Sequence, residues 1–186
     1  LKSLLALCQV APYRARLLFT DVEAEPMRVV VAMHVPVPLR PVNNGPLRRA
    51  EGDTAILGIS YPREVLLGPL PGTRFVEIIR PEGVMHPNVA PTPPQVLCLG
   101  PALPRGFPIL ELLVLAYSSL ALVLINADRL DPAGVLNAEA AEYFGAAANR
   151  AAIPLTRDPF LRVPPRDGAS AAPAGAPPAT TDGGLL

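Results

Sequence analysis

The stretch FPILELLVLAYSSLALVLINA, residues 107–127, largely decides the fold, because Glu111 is the only charge in a long apolar run. About 20 apolar residues are enough to cross a bilayer as a helix. Against a membrane span, Pro108 suits the first turn of a helix, and Tyr117, Asn126 and two serines dilute the apolar run. We therefore expect a helix buried in a protein core, with a membrane span as the alternative.

Four apolar segments that precede this helix have the composition of β-strands. They are rich in branched residues and are bounded by Pro, Asn or Gly. The segments are 14–22, 27–35, 53–61 and 74–80. Short connections between consecutive strands predict an antiparallel meander, and His34 in the second strand is expected to lie in the core. The predicted fold class is α+β, with a four-stranded antiparallel meander and the long helix packed on one face.

Further helices are expected at both ends of this unit. Residues 1–10 have an apolar helical face that includes Cys8, so this thiol is expected to be buried. The Ala- and Glu-rich segment 136–150, opened by Asp131-Pro132, predicts a C-terminal helix.

The last part of the chain differs in composition from the rest. Residues 164–186 are mostly Ala, Pro, Gly, Ser and Thr, which predicts a disordered tail. Residues 1–163 are then expected to form one domain.

The overall composition excludes several classes of protein. Half of the residues are apolar and the formal net charge is zero, which allows a sizeable core but offers no basic surface for nucleic acid. Two cysteines give neither a disulfide framework nor metal-ligand spacing. We expect a cytoplasmic protein without a cofactor, a metal or a membrane anchor.

Residues 86–100, HPNVAPTPPQVLCLG, place Cys98 at the end of a proline-rich segment. The density of proline predicts irregular backbone over about 81–106. We expect His86 to have a structural role, with its imidazole hydrogen-bonded inside the loop. Cys98 is either an exposed nucleophile held by a stiff loop or a buried loop cysteine.

Five short motifs occur in the order found in ubiquitin-conjugating enzymes, and the chain resembles that family over roughly residues 1–150. In chain order they are Tyr61-Pro62, His86-Pro87-Asn88, Leu97-Cys98-Leu99, Asp131-Pro132 and Asn137-Ala138-Glu139-Ala140-Ala141. The family reads I/V-C-L around its cysteine and D-P-L-N-x-E-A-A after it.

The chain also departs from the usual pattern of the family. The segment from Asn88 to Cys98 is about two residues longer than usual and contains Pro91, Pro93 and Pro94. There is no Trp after the cysteine, where many members use one to meet a ligase, and the last helices are missing or eroded. In this the chain resembles the bacterial ubiquitin-conjugating-like proteins encoded beside a ubiquitin-like protein, an activating enzyme and a deconjugating protease.

The resemblance implies an enzyme of protein conjugation. Cys98 would accept a ubiquitin-like protein from an activating enzyme as a thioester and pass it to an amine of a target protein. Asn88 would donate to the oxyanion, or would instead bond the loop backbone; the two roles are compatible. Asp131, with Asp128 as its substitute, would position the amine, or Asp131 would only cap the following helix. The bacterial systems imply a possible antiviral role.

Other functions are compatible with the same residues. A non-catalytic binding module of the same fold would bind a ubiquitin-like protein or an activating enzyme without chemistry. A hydrolase would pair Cys98 with His86 or His34, although the sequence offers no clear third residue to orient the histidine.

Overall fold

A computed structural model of the protein describes residues 14–41, 47–128 and 134–146, with a few single positions outside these ranges. Several features predicted from the sequence lie outside the described residues. They are most of the helix over 1–10 with Cys8, Asp131 and the tail 164–186.

The described residues form strands, short 3-10 turns and two α-helices. The strands are β1 (Ala15–Asp21), β2 (Met27–His34), β3 (Pro38–Leu39), β4 (Arg48–Arg49), β5 (Thr54–Tyr61), β6 (Val76–Arg80) and β7 (Gln95–Leu97). The helices are α1 (Ile109–Leu120) and α2 (Ala138–Gly145). The main sheet has the order β1-β2-β5-β6-β7, with every neighbouring pair antiparallel, and β3 pairs with β4 separately. The α+β class is therefore confirmed.

The main sheet has five strands where the sequence predicted four. The fifth strand, β7, pairs with β6 from Val76 opposite Leu97 to Ile78 opposite Gln95. The prediction of irregular backbone throughout 81–106 is thus wrong at these positions. Three residues are too few to show an alternating pattern, and Pro93 and Pro94 lie just before the strand rather than within it.

One face of the sheet contributes to the main apolar core. Side chains alternate across a strand, so Val29, Val31 and Met33 of β2 are buried while Arg28 is exposed. Leu112, Leu113 and other apolar side chains of α1 belong to the same buried cluster. Sheet and helix therefore share one core.

The position of His34 differs from its predicted place in the core. This residue is exposed at the end of β2. It has the same parity as Arg28, so its side chain lies on the face opposite the buried valines. This largely apolar strand thus has two polar residues, Arg28 and His34, on its outer face.

Helix α1 is shorter than the predicted helix over 107–127. Pro108 is its N-cap, and the helix ends at Leu120. The next residue but one, Leu122, has a left-handed φ of 58°. Its N–H donates to Ser119 O at 2.8 Å and that of Val123 donates to Ser118 O at 3.0 Å, which is the Schellman pattern of a helix end.

No helix in the described part of the chain is long and apolar enough to cross a membrane. The apolar stretch that suggested a span forms only the twelve residues of α1 followed by a loop. Much of its apolar surface is buried in the core that α1 shares with the sheet.

Helix α2 begins where Asn137 caps it. The Asn137 side-chain oxygen accepts the Ala140 N–H at 3.1 Å, so the cap of this helix is Asn137 and not Asp131. The side chains of Ala140 and Phe144 form a second apolar cluster with Met85 and Leu122. This cluster joins α2 to the two loops that flank the cysteine region.

Candidate functional site

Cys98 directly follows the edge strand β7 and is fixed by its own backbone. Its N–H donates to Asn88 O at 2.7 Å, which ties the cysteine to the His-Pro-Asn turn. Its thiol points toward Gly100 O, with the sulfur 3.7 Å away. The residue is only 4% exposed, so in this conformation Cys98 fits the alternative of a buried loop cysteine rather than that of an exposed thiol.

A cavity of about 300 Å³ lies against the thiol. Its apolar lining comes from Leu99, Pro101, Leu115, Leu124 and Ile125, and its polar lining comes from Asn88, Ser119 and Asn126. The lining also includes Cys98, Gly100 and Gly134, and none of these described residues is charged. The cavity therefore brings the cysteine, the His-Pro-Asn turn and the loop after α1 together.

Gly100 is supported from behind by a close backbone contact with Gly72. The Gly72 N–H donates to Gly100 O at 3.1 Å. A Cβ placed on Gly72 would lie 2.5 Å from that oxygen and 2.8 Å from the Gly100 nitrogen. Only glycine fits at position 72, because the obstacle is rigid backbone rather than a flexible side chain. The GPLPG segment at 68–72 thus supports the backbone of residues 98–108, between β7 and α1, which we call the cysteine loop.

The same support continues along the cysteine loop toward the start of α1. Leu70 and Leu103 exchange backbone hydrogen bonds of 3.1 and 2.8 Å. The Tyr61 hydroxyl donates to Phe107 O, joining the end of β5 to the start of α1. Burial raises the pKa of Tyr61, so it stays a neutral donor. The Tyr61-Pro62 motif therefore has a structural role here.

His86 is a fully buried structural residue. Its Nδ1 accepts the Asn88 N–H at 3.1 Å, and its Nε2 lies 2.8 Å from Ser119 O. A neutral ring satisfies both contacts only with the proton on Nε2. Burial is the main cause that lowers the pKa of His86 to about 4, and the bond to Ser119 partly opposes it. The structure places both ring nitrogens in use, so His86 is not available as a base for Cys98.

The Asn88 side chain joins two segments across the cavity. Its amide oxygen accepts the Asn126 N–H at 3.2 Å. Its amide nitrogen donates to Gly134 O and, at 3.4 Å, to Asn126 O. An amide nitrogen has two hydrogens, and both are engaged here. These contacts favour the predicted structural role of Asn88 over the oxyanion role in this conformation.

Of the two candidate carboxylates, the structure describes only Asp128. Asp131 lies outside the described residues. Asp128 is exposed, and its N–H donates to the Asn126 side-chain oxygen at 2.9 Å. Asp128 is not among the residues that line the cavity, although it is close to Asn126 in the chain.

Sequence reasoning missed several residues of this site. Asn126 and Ser119 lie in the apolar stretch 107–127, and the sequence indicated only that they interrupt its hydrophobicity, not that they line a cavity. Gly72, Gly100 and Gly134 matter through their backbones, and a Cβ on Gly134 would lie 2.5 Å from the Asn126 Nδ2 atom. The one available signal was the pair of glycines that bounds the segment GPLPG.

No protein-family model, curated protein or solved structure matches the chain. The functional argument therefore rests on the motifs in the sequence and on the geometry of this site.

The contact between Gly72 and Gly100 predicts a specific loss of stability. Gly72→Ala forces the backbone of the cysteine loop to move, and overpacking of this kind typically costs about 1–3 kcal/mol. The matched control is Gly68→Ala, because nothing lies within 4 Å of a Cβ at Gly68. Urea unfolding of both variants measures the difference. Equal stability of the two variants would show that the support is not as tight as described.

The buried neutral His86 predicts a loss of stability in mild acid. The unfolded chain takes up a proton near the ordinary His pKa of about 6.5, whereas the folded chain resists until about pH 4. The stabilisation is complete above the unfolded pKa and is lost as the pH falls. Between pH 7 and pH 5 the linkage amounts to about 2 kcal/mol.

The pH experiment compares three proteins by urea unfolding at pH 5 and pH 7. His86→Asn should be less stable at pH 7 but should lack this part of the pH dependence. His34→Gln is the matched control, since His34 is exposed, and it should keep the wild-type slope. A wild-type slope in His86→Asn would contradict the assignment of the buried neutral ring.

Proposed function

We propose that the protein is a ubiquitin-conjugating-like enzyme that carries a ubiquitin-like protein on Cys98. The observation that supports this most directly is the meeting of Cys98 and Asn88 at one cavity, with the backbone bond between them. These are the cysteine and the asparagine that the sequence motifs single out. The fold is α+β with an antiparallel sheet, as such an enzyme requires.

The proposed chemistry is acyl transfer in two steps. The Cys98 thiolate attacks the carbonyl carbon of the thioester on the activating enzyme, and the carbon–sulfur bond to that enzyme breaks. The released thiolate takes up the proton lost by Cys98. An amine of the target protein then attacks the new thioester, the bond to Cys98 breaks, and the amine proton leaves with a base. No electron transfer is involved.

The contacts of the described residues assign separate roles in this scheme. Asn88 positions the wall of the cavity, because its amide is engaged by Asn126 and Gly134. Asp131 remains the proposed carboxylate for the amine, with Asp128 as the alternative. The partners are a ubiquitin-like protein, an activating enzyme and a target protein, in a bacterial conjugation pathway whose proposed role is antiviral defence.

The low exposure of Cys98 favours one competing function. A non-catalytic binding module has no need of an accessible thiol, and Cys98 is only 4% exposed here. The hydrolase reading is weaker, because both ring nitrogens of His86 are engaged. His34 is exposed at the end of β2 and does not line the cavity.

Charging of Cys98 tests the proposal against the binding module. The protein is mixed with ATP and the ubiquitin-like protein and activating enzyme encoded by neighbouring genes. We expect an adduct that a reducing agent cleaves, seen as a shift on a non-reducing gel. Cys98→Ser should give an oxyester that resists thiols and yields to hydroxide, or no adduct. Cys98→Ala should give none.

The second cysteine provides the matched control for charging. Cys8→Ala should behave as the wild type, because the helical pattern of residues 1–10 predicts that its thiol faces an apolar core. An adduct that persists in Cys98→Ala, or that moves to Cys8, would remove the enzyme proposal.

Discharge of the thioester distinguishes the two carboxylates. Asp131→Ala should be charged normally but should pass its acyl group to free lysine more slowly. Positioned acids and bases typically contribute about 100-fold or more, so we expect a loss of that order in single-turnover discharge. Asp128→Ala is the matched control and should discharge at nearly the wild-type rate. The reverse order would transfer the role to Asp128, and equal rates would contradict both.

A further inference from the structure

The burial of Cys98 raises the question of how a protein-sized donor reaches it. Cys98 is 4% exposed in this conformation. One wall of the adjoining cavity is formed by Leu124, Ile125 and Asn126. Leu124 is 54% exposed, so solvent lies on the outer side of this wall. The cavity is already partly open to solvent, and displacing the wall would widen the opening around Cys98.

The wall is fastened to the His-Pro-Asn turn by one side chain. Asn126 N–H donates to the Asn88 oxygen at 3.2 Å, and Asn126 O accepts from the Asn88 nitrogen at 3.4 Å. Both distances lie at or beyond the long end of the usual range for N–H···O bonds, so each of these two bonds is weak. The wall is also held to the end of α1, because the Leu124 N–H donates to Ser118 O at 3.0 Å. Leu122, which precedes the wall in the chain, has a left-handed φ and is the residue at which the chain turns away from α1.

We propose that Asn88 is a latch on the wall formed by Leu124, Ile125 and Asn126, and that its release exposes Cys98. Asn88 is then a positioning residue that regulates access to the thiol. The inference deepens the proposed function and rests on it, since it assigns the opening to entry of a donor thioester. Local opening of a loop costs less than global unfolding, so the thiol becomes accessible while the core stays folded.

The rate of thiol modification by 5,5′-dithiobis(2-nitrobenzoate) tests the latch without any partner. The reagent forms a mixed disulfide with the cysteine thiolate and releases one coloured thionitrobenzoate. A Cys8→Ser background makes Cys98 the only reporter. We expect the folded protein to react at least about 10-fold more slowly than the urea-unfolded chain. Adding Asn88→Ala should accelerate the reaction of the folded protein by about 10-fold.

The urea dependence of that rate separates a latch from a loss of overall stability. Below the unfolding transition, opening of a short loop exposes little surface and gives a small slope, whereas global unfolding gives the full equilibrium slope. We expect a small slope in both proteins. An unchanged rate in Asn88→Ala, or an acceleration that follows the full slope, would overturn the latch. So would a wild-type rate equal to that of the unfolded chain.

A second variant keeps the test informative if Asn88→Ala does not fold. A Cβ on Gly134 would lie 2.5 Å from Nδ2 and 2.9 Å from Cβ of Asn126, so Gly134→Ala pushes on the wall and should also accelerate the reaction. Gly145→Ala is the matched control, because a Cβ there meets nothing within 4 Å. Equal rates in these two variants would count against the latch.

The latch and the proposed enzyme can fail separately. Thiol modification reports only on access to Cys98, whereas charging with a ubiquitin-like protein reports on the chemistry. A protein that charges on Cys98 but shows no latch behaviour refutes only the inference. A protein that shows the latch but never forms a thioester refutes only the enzyme.

Discussion

The hydrogen bond from the His86 ring to Ser119 O joins the His-Pro-Asn turn to the last turn of α1. Ser119 is near the point where α1 leaves the core, and the other ring nitrogen holds the Asn88 N–H. Asn88 in turn fixes Cys98 through its carbonyl and the loop after α1 through its side chain. The cysteine and the opposite wall of its cavity therefore take their positions from one buried imidazole.

The surroundings of the thiol combine an uncharged cavity with a rigid base. The described lining residues are apolar or neutral, so none of them places a charged side chain beside Cys98. On the other side, Gly72 and Gly100 meet backbone to backbone. The site thus has one firm side, built from paired loops, and one weakly held side, formed by the segment after α1.

The sequence allowed the strands to be predicted, because branched residues and the turn residues that bound them are local signals, whereas the association of Cys98 with Asn88 was implied only by the resemblance of the motifs to a family. Strand β7 escaped because three residues carry no period. The end of α1 escaped because a leucine, rather than a glycine, adopts the left-handed turn. Asn126 escaped because its role depends on its backbone atoms and on where the loop returns, which no local pattern encodes. The exposure of His34 shows that an apolar strand does not reveal which residue faces outward.

Leu122 has a consequence for the order in which the molecule is built. A non-glycine residue in the left-handed region costs roughly 1–2 kcal/mol, and Leu122 buries its side chain with Met85, Ala140 and Phe144. Where α1 stops therefore depends in part on tertiary contacts with Ala140 and Phe144, which come later in the chain. During synthesis, a nascent chain that still lacks α2 can make the contact with Met85 but not these two, which favours continuation of the apolar segment as helix beyond Leu120. The wall of the cysteine cavity that follows α1 is then completed only when α2 has emerged, so this site is among the last parts of the domain to form.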